Sequence, residues 1–156
     1  MMKNMSKRIP ALALCLALAL LAGGGLAEGY RVALPDGNHS VRIPGDMTSQ
    51  SPAQNETDLR GIYLLEPDLE MLVYSYDAGN SDVYTLAEAL SSQNREAEVR
   101  RISDTDFLVF QDRDEADGAA CVGYGYISGG KMVEISFFYS TQDAMDLTRA
   151  IMESFE

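Results

Sequence analysis

Hydrophobic residues recur with a two-residue period in eight short segments, and turn sequences join them in pairs, which restricts the chain to antiparallel hairpins. Tyr30 to Leu34 and His39 to Ile43 flank the turn-rich Pro35-Asp36-Gly37-Asn38. Gly61 to Leu65 and Leu69 to Tyr76 flank Glu66-Pro67-Asp68. Ala97 to Ser103 precedes Asp106 to Gln111, and Ala119 to Ile127 meets Met132 to Tyr139 across Ser128-Gly129-Gly130-Lys131, the clearest hairpin turn in the chain. The stretch from Pro44 to Asp58, rich in Ser, Gln, Asn, Thr and Pro, reads as a connecting loop.

Two segments switch to a helical period. In the first, Val83 to Gln93, residues Val83, Leu86, Ala87 and Leu90 share one face; Thr85 and Glu88 have capping-box spacing, and Asp82 is an equally good N-cap. In the second, Ala144, Leu147, Thr148, Ile151, Met152 and Phe155 form an apolar stripe opposite Gln142, Asp146, Arg149 and Glu153. Ser140 and Asp143 cap it and set negative charge at its positive end. Short hairpin links favour an antiparallel sheet covered by helices. The expected class is α+β, a mainly antiparallel sheet of about six to eight strands packed by two helices.

The first 27 residues have a different character. Lys3, Lys7 and Arg8 form a positive start, Ala11 to Ala22 an apolar core, and Gly23 to Ala27 a small-residue exit, which is the pattern of a secretory signal peptide. A membrane anchor needs about 20 apolar residues, a length this run reaches only if Gly23 to Gly25 are counted. Small side chains at Gly25 and Ala27 suit signal peptidase, so cleavage is expected after Ala27, with residues 28–156 forming one α+β domain that has no transmembrane segment. Lipidation of Cys15 is not expected, because Leu14 precedes it within the apolar run.

Cleavage would take Lys+Arg from 12 to 9 against 24 Asp+Glu, moving the net charge from −12 to −15 and leaving 129 of the 156 residues. That length buries a real core without metal or disulfide staples. The charge argues against nucleic acid and anionic lipid as partners. Cys121 would be the one remaining cysteine, so no intrachain disulfide can form, and its small apolar setting, Ala119-Ala120-Cys121-Val122-Gly123, suits a buried, inert thiol.

The C-terminal strand Lys131-Met132-Val133-Glu134-Ile135-Ser136-Phe137-Phe138-Tyr139, its run into Ser140-Thr141-Gln142-Asp143-Ala144, and the ending Ile151-Met152-Glu153-Ser154-Phe155 resemble the PsbP-like and Mog-like domains of exported bacterial proteins. Leu86-Ala87-Glu88-Ala89-Leu90 resembles their middle helix. The similarity covers about four-fifths of the mature chain in element order. It implies an antiparallel sheet sandwiched between helices and a binding or accessory scaffold, and it brings no catalytic residues with it.

Searching for chemistry yields mostly exclusions. A sole histidine, His39, removes sites that need two imidazole ligands. No serine sits in a nucleophile elbow, and a Cys121-His39 pair would need direct contact. No cofactor motif is found. Gly123-Tyr124-Gly125-Tyr126 lies within a strand, where its glycines leave room for facing aromatics or a helix instead of cradling phosphate. Tyr74 with Tyr76, and Tyr124 with Tyr126, each share a sheet face and are candidates for an aromatic ligand floor, with helix-covered core as the alternative. Asp112, Asp114 and Asp117 in Asp112-Arg113-Asp114-Glu115-Ala116-Asp117-Gly118 are candidate Ca²⁺ ligands. Their spacing fails the EF-hand pattern, however, and a solvated turn explains them without metal.

These observations favour an exported, non-enzymatic binding or accessory module for a protein partner or small ligand. One alternative is a small extracytoplasmic hydrolase or Ca²⁺-binding protein using residues 112–117, which predicts a deep cleft with convergent acids of raised pKa. The other is a self-associating structural or inhibitory protein, which predicts a large exposed apolar patch.

Overall fold

The computed structural model describes residues 26–113 and 120–156. The signal-peptide segment up to residue 25, and Asp114 and Asp117 of the acidic run, lie outside the described residues.

Among the described residues, nine strands and two helices follow in order: β1 (Tyr30–Ala33), β2 (Ser40–Ile43), β3 (Thr48–Gln50), β4 (Leu59–Leu65), β5 (Leu69–Asp77), α1 (Val83–Ser92), β6 (Glu96–Ile102), β7 (Thr105–Arg113), β8 (Ala120–Ser128), β9 (Lys131–Tyr139) and α2 (Gln142–Glu153). The class is α+β, as the periodicity implies. Strands β3 to β9 form a seven-stranded sheet in the order β3-β4-β5-β9-β8-β7-β6, while β1 and β2 form a separate two-stranded hairpin. All neighbours run antiparallel. Placing β9 between β5 and β8 sets the C-terminal strand at the centre of the sheet, where it is paired along its whole length on both sides.

Strand alternation sends two different sets of side chains to the two faces. One face carries Met71, Val73, Phe107, Val109, Val133, Ile135 and Phe137, and it is covered by the β1–β2 hairpin with Val32, Leu34, Val41 and Ile43 and by α2 with Ala144, Ile151 and Met152. Phe155, just beyond α2, completes that core. The opposite face is covered in part. α1 lays Val83 and Ala87 on Leu108 and packs over β6, β7 and β8, with Leu86, Leu90, Val99 and Phe110 around the contact.

Local chemistry explains the helix starts. Asp82 is the N-cap of α1, its carboxylate accepting from the Thr85 N–H at 2.8 Å. For α2 the cap is Thr141, not Ser140: its hydroxyl accepts from the Ala144 N–H at 3.2 Å. Asp143 falls in the first turn, where its charge meets the helix dipole. Ser140 instead ties the start of the helix to the β4–β5 turn, donating to Asp68 at 3.1 Å.

The segment expected as loop from Pro44 to Asp58 contains β3. Its three residues are all exposed and pair with Ile62 to Leu64 as an edge strand. Backbone hydrogen bonds hold it, joined by the Thr48 hydroxyl donating to the Leu64 carbonyl at 3.3 Å, so no apolar alternation marks it in the sequence.

Candidate functional site

Where α1 stops short, the second face of the sheet opens into a cavity of about 840 Å³, within the size range of small-molecule sites. Its floor comes from neighbouring strands. Tyr74 and Tyr76 of β5 lie beside Glu134 of β9, with Tyr74 directly across from Glu134 in the register, and Ser136 and Phe138 continue along β9. Cys121 of β8, Phe110 and Asp112 of β7, and Asp58 just before β4 complete the lining.

Glu134 organises this floor. One of its oxygens accepts from the Tyr76 hydroxyl at 2.8 Å and the other from the buried Ser136 hydroxyl at 2.7 Å. Burial and the acidic surroundings raise the pKa of both floor phenols. For Tyr74 the charges adding to burial are Glu134, Glu56 and Glu70, and for Tyr76 they are Glu134, through the hydrogen bond, and Asp58. The same two causes act on Cys121: burial first, then Asp112 and Glu134, push its thiol up to about 11. Such a thiol is not a nucleophile near neutral pH.

On the β7 side, Arg95 reaches Asp112 at 3.0 Å while its guanidinium lies 5.9 Å from the centre of the Phe110 ring. Phe110 is seated over Gly123, where any Cβ would run into the ring. That close approach explains one glycine of Gly123-Tyr124-Gly125-Tyr126. At Gly125 a Cβ would stand 2.9 Å from the Met132 sulfur.

Of the tyrosines singled out by strand spacing, Tyr74 and Tyr76 line the cavity. Tyr124 and Tyr126 point to the other face and are 3% and 0% exposed, among Phe107, Phe137 and Phe155. They belong to the helix-covered core. Among the described residues the Tyr126 hydroxyl has no partner in hydrogen-bond geometry, and burial together with the Asp36 carboxylate raises its pKa. Asp36, with its side chain 3% exposed, meets His39 Nδ1 at 2.5 Å, and the imidazole stacks on Phe155. His39 is therefore part of the packing between the hairpin and the C-terminus, and Cys121 lies on the opposite face of the sheet.

Asp112 lies on the cavity wall, held by Arg95. Among the described residues no group of three His, Cys, Asp or Glu side chains could hold a metal ion. Sequence reasoning did not single out Glu134, Asp58, Phe110, Ser136 or Phe138. The two-residue period of β9 does place Glu134, Ser136 and Phe138 on one face, but nothing local says that this part of the face is left uncovered.

The fold has known counterparts. The solution structure of cyanobacterial PsbP (CyanoP) from Synechocystis sp. PCC 6803 superposes with a TM-score of 0.58 at 14% identity, covering 86% of this chain and 95% of that one. This is a PsbP-like fold. A crystal structure from Bacteroides thetaiotaomicron VPI-5482 shares it with a TM-score of 0.60 at 12% identity, over 83% of this chain, and this chain spans about half of that one, 48%. No protein-family profile matches the chain, and no curated protein matches it. The PsbP-like likeness is thus one of architecture, and the residues of the cavity must be argued from their own chemistry.

Proposed function

We propose that the chain is an exported, non-enzymatic accessory or binding module that takes up a small ligand in the cavity on the open face of its sheet. One observation carries this reading: the part of the face left bare by α1 is a concave, aromatic-floored site of about 840 Å³ with a few oriented polar groups, the general form of a ligand pocket. The leader-like segment ending at Ala27 supports export, and the PsbP-like fold supports an accessory role. The acidic charge weighs against nucleic acid as the partner. Among the described residues no helix is long and apolar enough to cross a membrane.

Native mass spectrometry of the protein recovered from its own medium tests both halves. The expected result is a chain beginning at Glu28 and carrying a bound small molecule, which a Tyr74→Ala/Tyr76→Ala variant loses. An uncleaved chain contradicts a leader removed after Ala27, failure to find the protein outside the cell contradicts export, and a wild-type protein that never carries ligand contradicts uptake.

A hydrolase reading is favoured by one observation, the presence of Asp58, Asp112 and Glu134 around the same cavity. Against it, Asp112 is engaged by Arg95 and Glu134 by two hydroxyls, so neither is poised over empty space as a general base. Turnover of glycoside or ester substrates abolished by Glu134→Gln would establish the hydrolase and displace the binding module. The two exposed large hydrophobics among the described residues, Tyr30 and Tyr84, both hydrogen-bond through their hydroxyls, so nothing specific favours self-association.

A further inference from the structure

We propose that the ligand of this cavity is a compact organic cation with an apolar extension, an alkyl- or arylamine in chemical class; the assignment builds on the ligand-uptake reading above and names what that site selects. The protein already recognises such a group within itself. Arg95 places its guanidinium 5.9 Å from the Phe110 ring centre and 3.0 Å from the Asp112 carboxylate, combining an aromatic ring with an acid. The floor repeats that combination of aromatic ring and acid. Tyr74 and Tyr76 flank Glu134, Asp58 stands nearby, and neither Glu134 nor Asp58 has an ion-pair partner among the described residues.

The Tyr76 and Ser136 hydroxyls each donate to one Glu134 oxygen and leave its negative charge on the cavity floor to pair with a cation. Aromatic rings and a carboxylate in a partly desolvated site attract a cation and repel an anion. Burial, and after it the nearby carboxylates, raise the pKa of Tyr74 and Tyr76, so both phenols stay neutral beside Glu134.

The apolar extension has its own place. A second cavity of about 300 Å³ runs between α1 and the sheet, sharing Tyr76, Phe110 and Glu134 with the first and lined further in by Leu86, Leu90 and Met132. A cationic head at Glu134 would thus point a tail beneath the helix.

Three probes with one tail and different heads test this: hexylammonium, 1-hexanol and hexanoate, each titrated into ¹⁵N-labelled protein and followed at the amides of Cys121, Gly123 and Ser136. Hexylammonium is expected to shift these amides and to bind at least about ten-fold more tightly than the other two. Glu134→Gln should weaken it by about ten-fold, as should the milder Asp58→Asn in part, and salt at about 0.5 M should weaken it further. Equal or tighter binding of hexanol or hexanoate at the same amides would overturn the cationic class and leave ligand uptake standing. Silence of those amides with all three probes would overturn both.

Discussion

Gly123 has no freedom to carry a side chain, because the Phe110 ring occupies the space its Cβ would need. Gly123→Ala must push that ring aside, and overpacking of this kind costs about 1–3 kcal/mol. Urea unfolding should show the loss, and the displaced ring should also change the cavity wall. Asp36 makes a different kind of contribution. Burial alone would raise its pKa, but hydrogen bonds from His39 and from the backbone N–H groups of Asn38 and His39, with Tyr126 nearby, outweigh burial and hold it below its usual 3.8. A carboxylate lowered on folding stabilises fully above its unfolded pKa, about 3.9, and loses that contribution as pH falls through the folded value. The stability gap between wild type and Asp36→Asn should therefore be wide near neutrality and close below about pH 4. A gap that stays constant down to pH 3 would contradict this, since it would mean that the Asp36 charge is not what stabilises the hairpin.

At the scale of elements, the two faces of the sheet are closed by different means. α2 buries Ile151 and Met152 in the main core, so Ile151→Ala should cost about 2–5 kcal/mol. Thr141→Ala removes one exposed cap from the same helix and should cost about 1 kcal/mol. Chemical denaturation of the two variants checks the contrast. Comparable losses would mean that α2 is held by its end, not by its stripe. The stripe itself was legible from the sequence, as were the hairpins, because apolar spacing and Gly or Pro turns act locally. β3 was not legible, since Thr48, Ser49 and Gln50 are all exposed and bury no apolar side chain in their edge pairing. The cap of α2 was misplaced by one residue, Ser140 for Thr141, because both hydroxyls suit a cap and tertiary contact with Asp68 decides between them. Tyr74 and Tyr76 could be placed on one face from their spacing. That α1 would cover β6 to β8 and leave β5 and β9 bare depends on sheet order, which no local pattern encodes.

Across the whole molecule, an antiparallel sheet with one face sealed and the other half sealed leaves a cavity on the central strands, rimmed by acids and floored by aromatics. The acidic run at 112–117 enters this picture through Asp112, which Arg95 ties to the wall. Thermal unfolding with and without Ca²⁺ should give the same midpoint, since a bound ion would raise it. A Ca²⁺-dependent rise abolished by Asp114→Ala would show that the run holds metal. The central claim, that the open face takes up a small ligand, is tested most directly by following backbone amides in a ¹⁵N–¹H correlation spectrum as fractionated small molecules from the native medium are added. Shifts gathered at Tyr74, Tyr76, Cys121, Glu134 and Ser136 are the predicted result. Shifts confined to the sealed face around Thr148 and Ile151, or none at all, would contradict it.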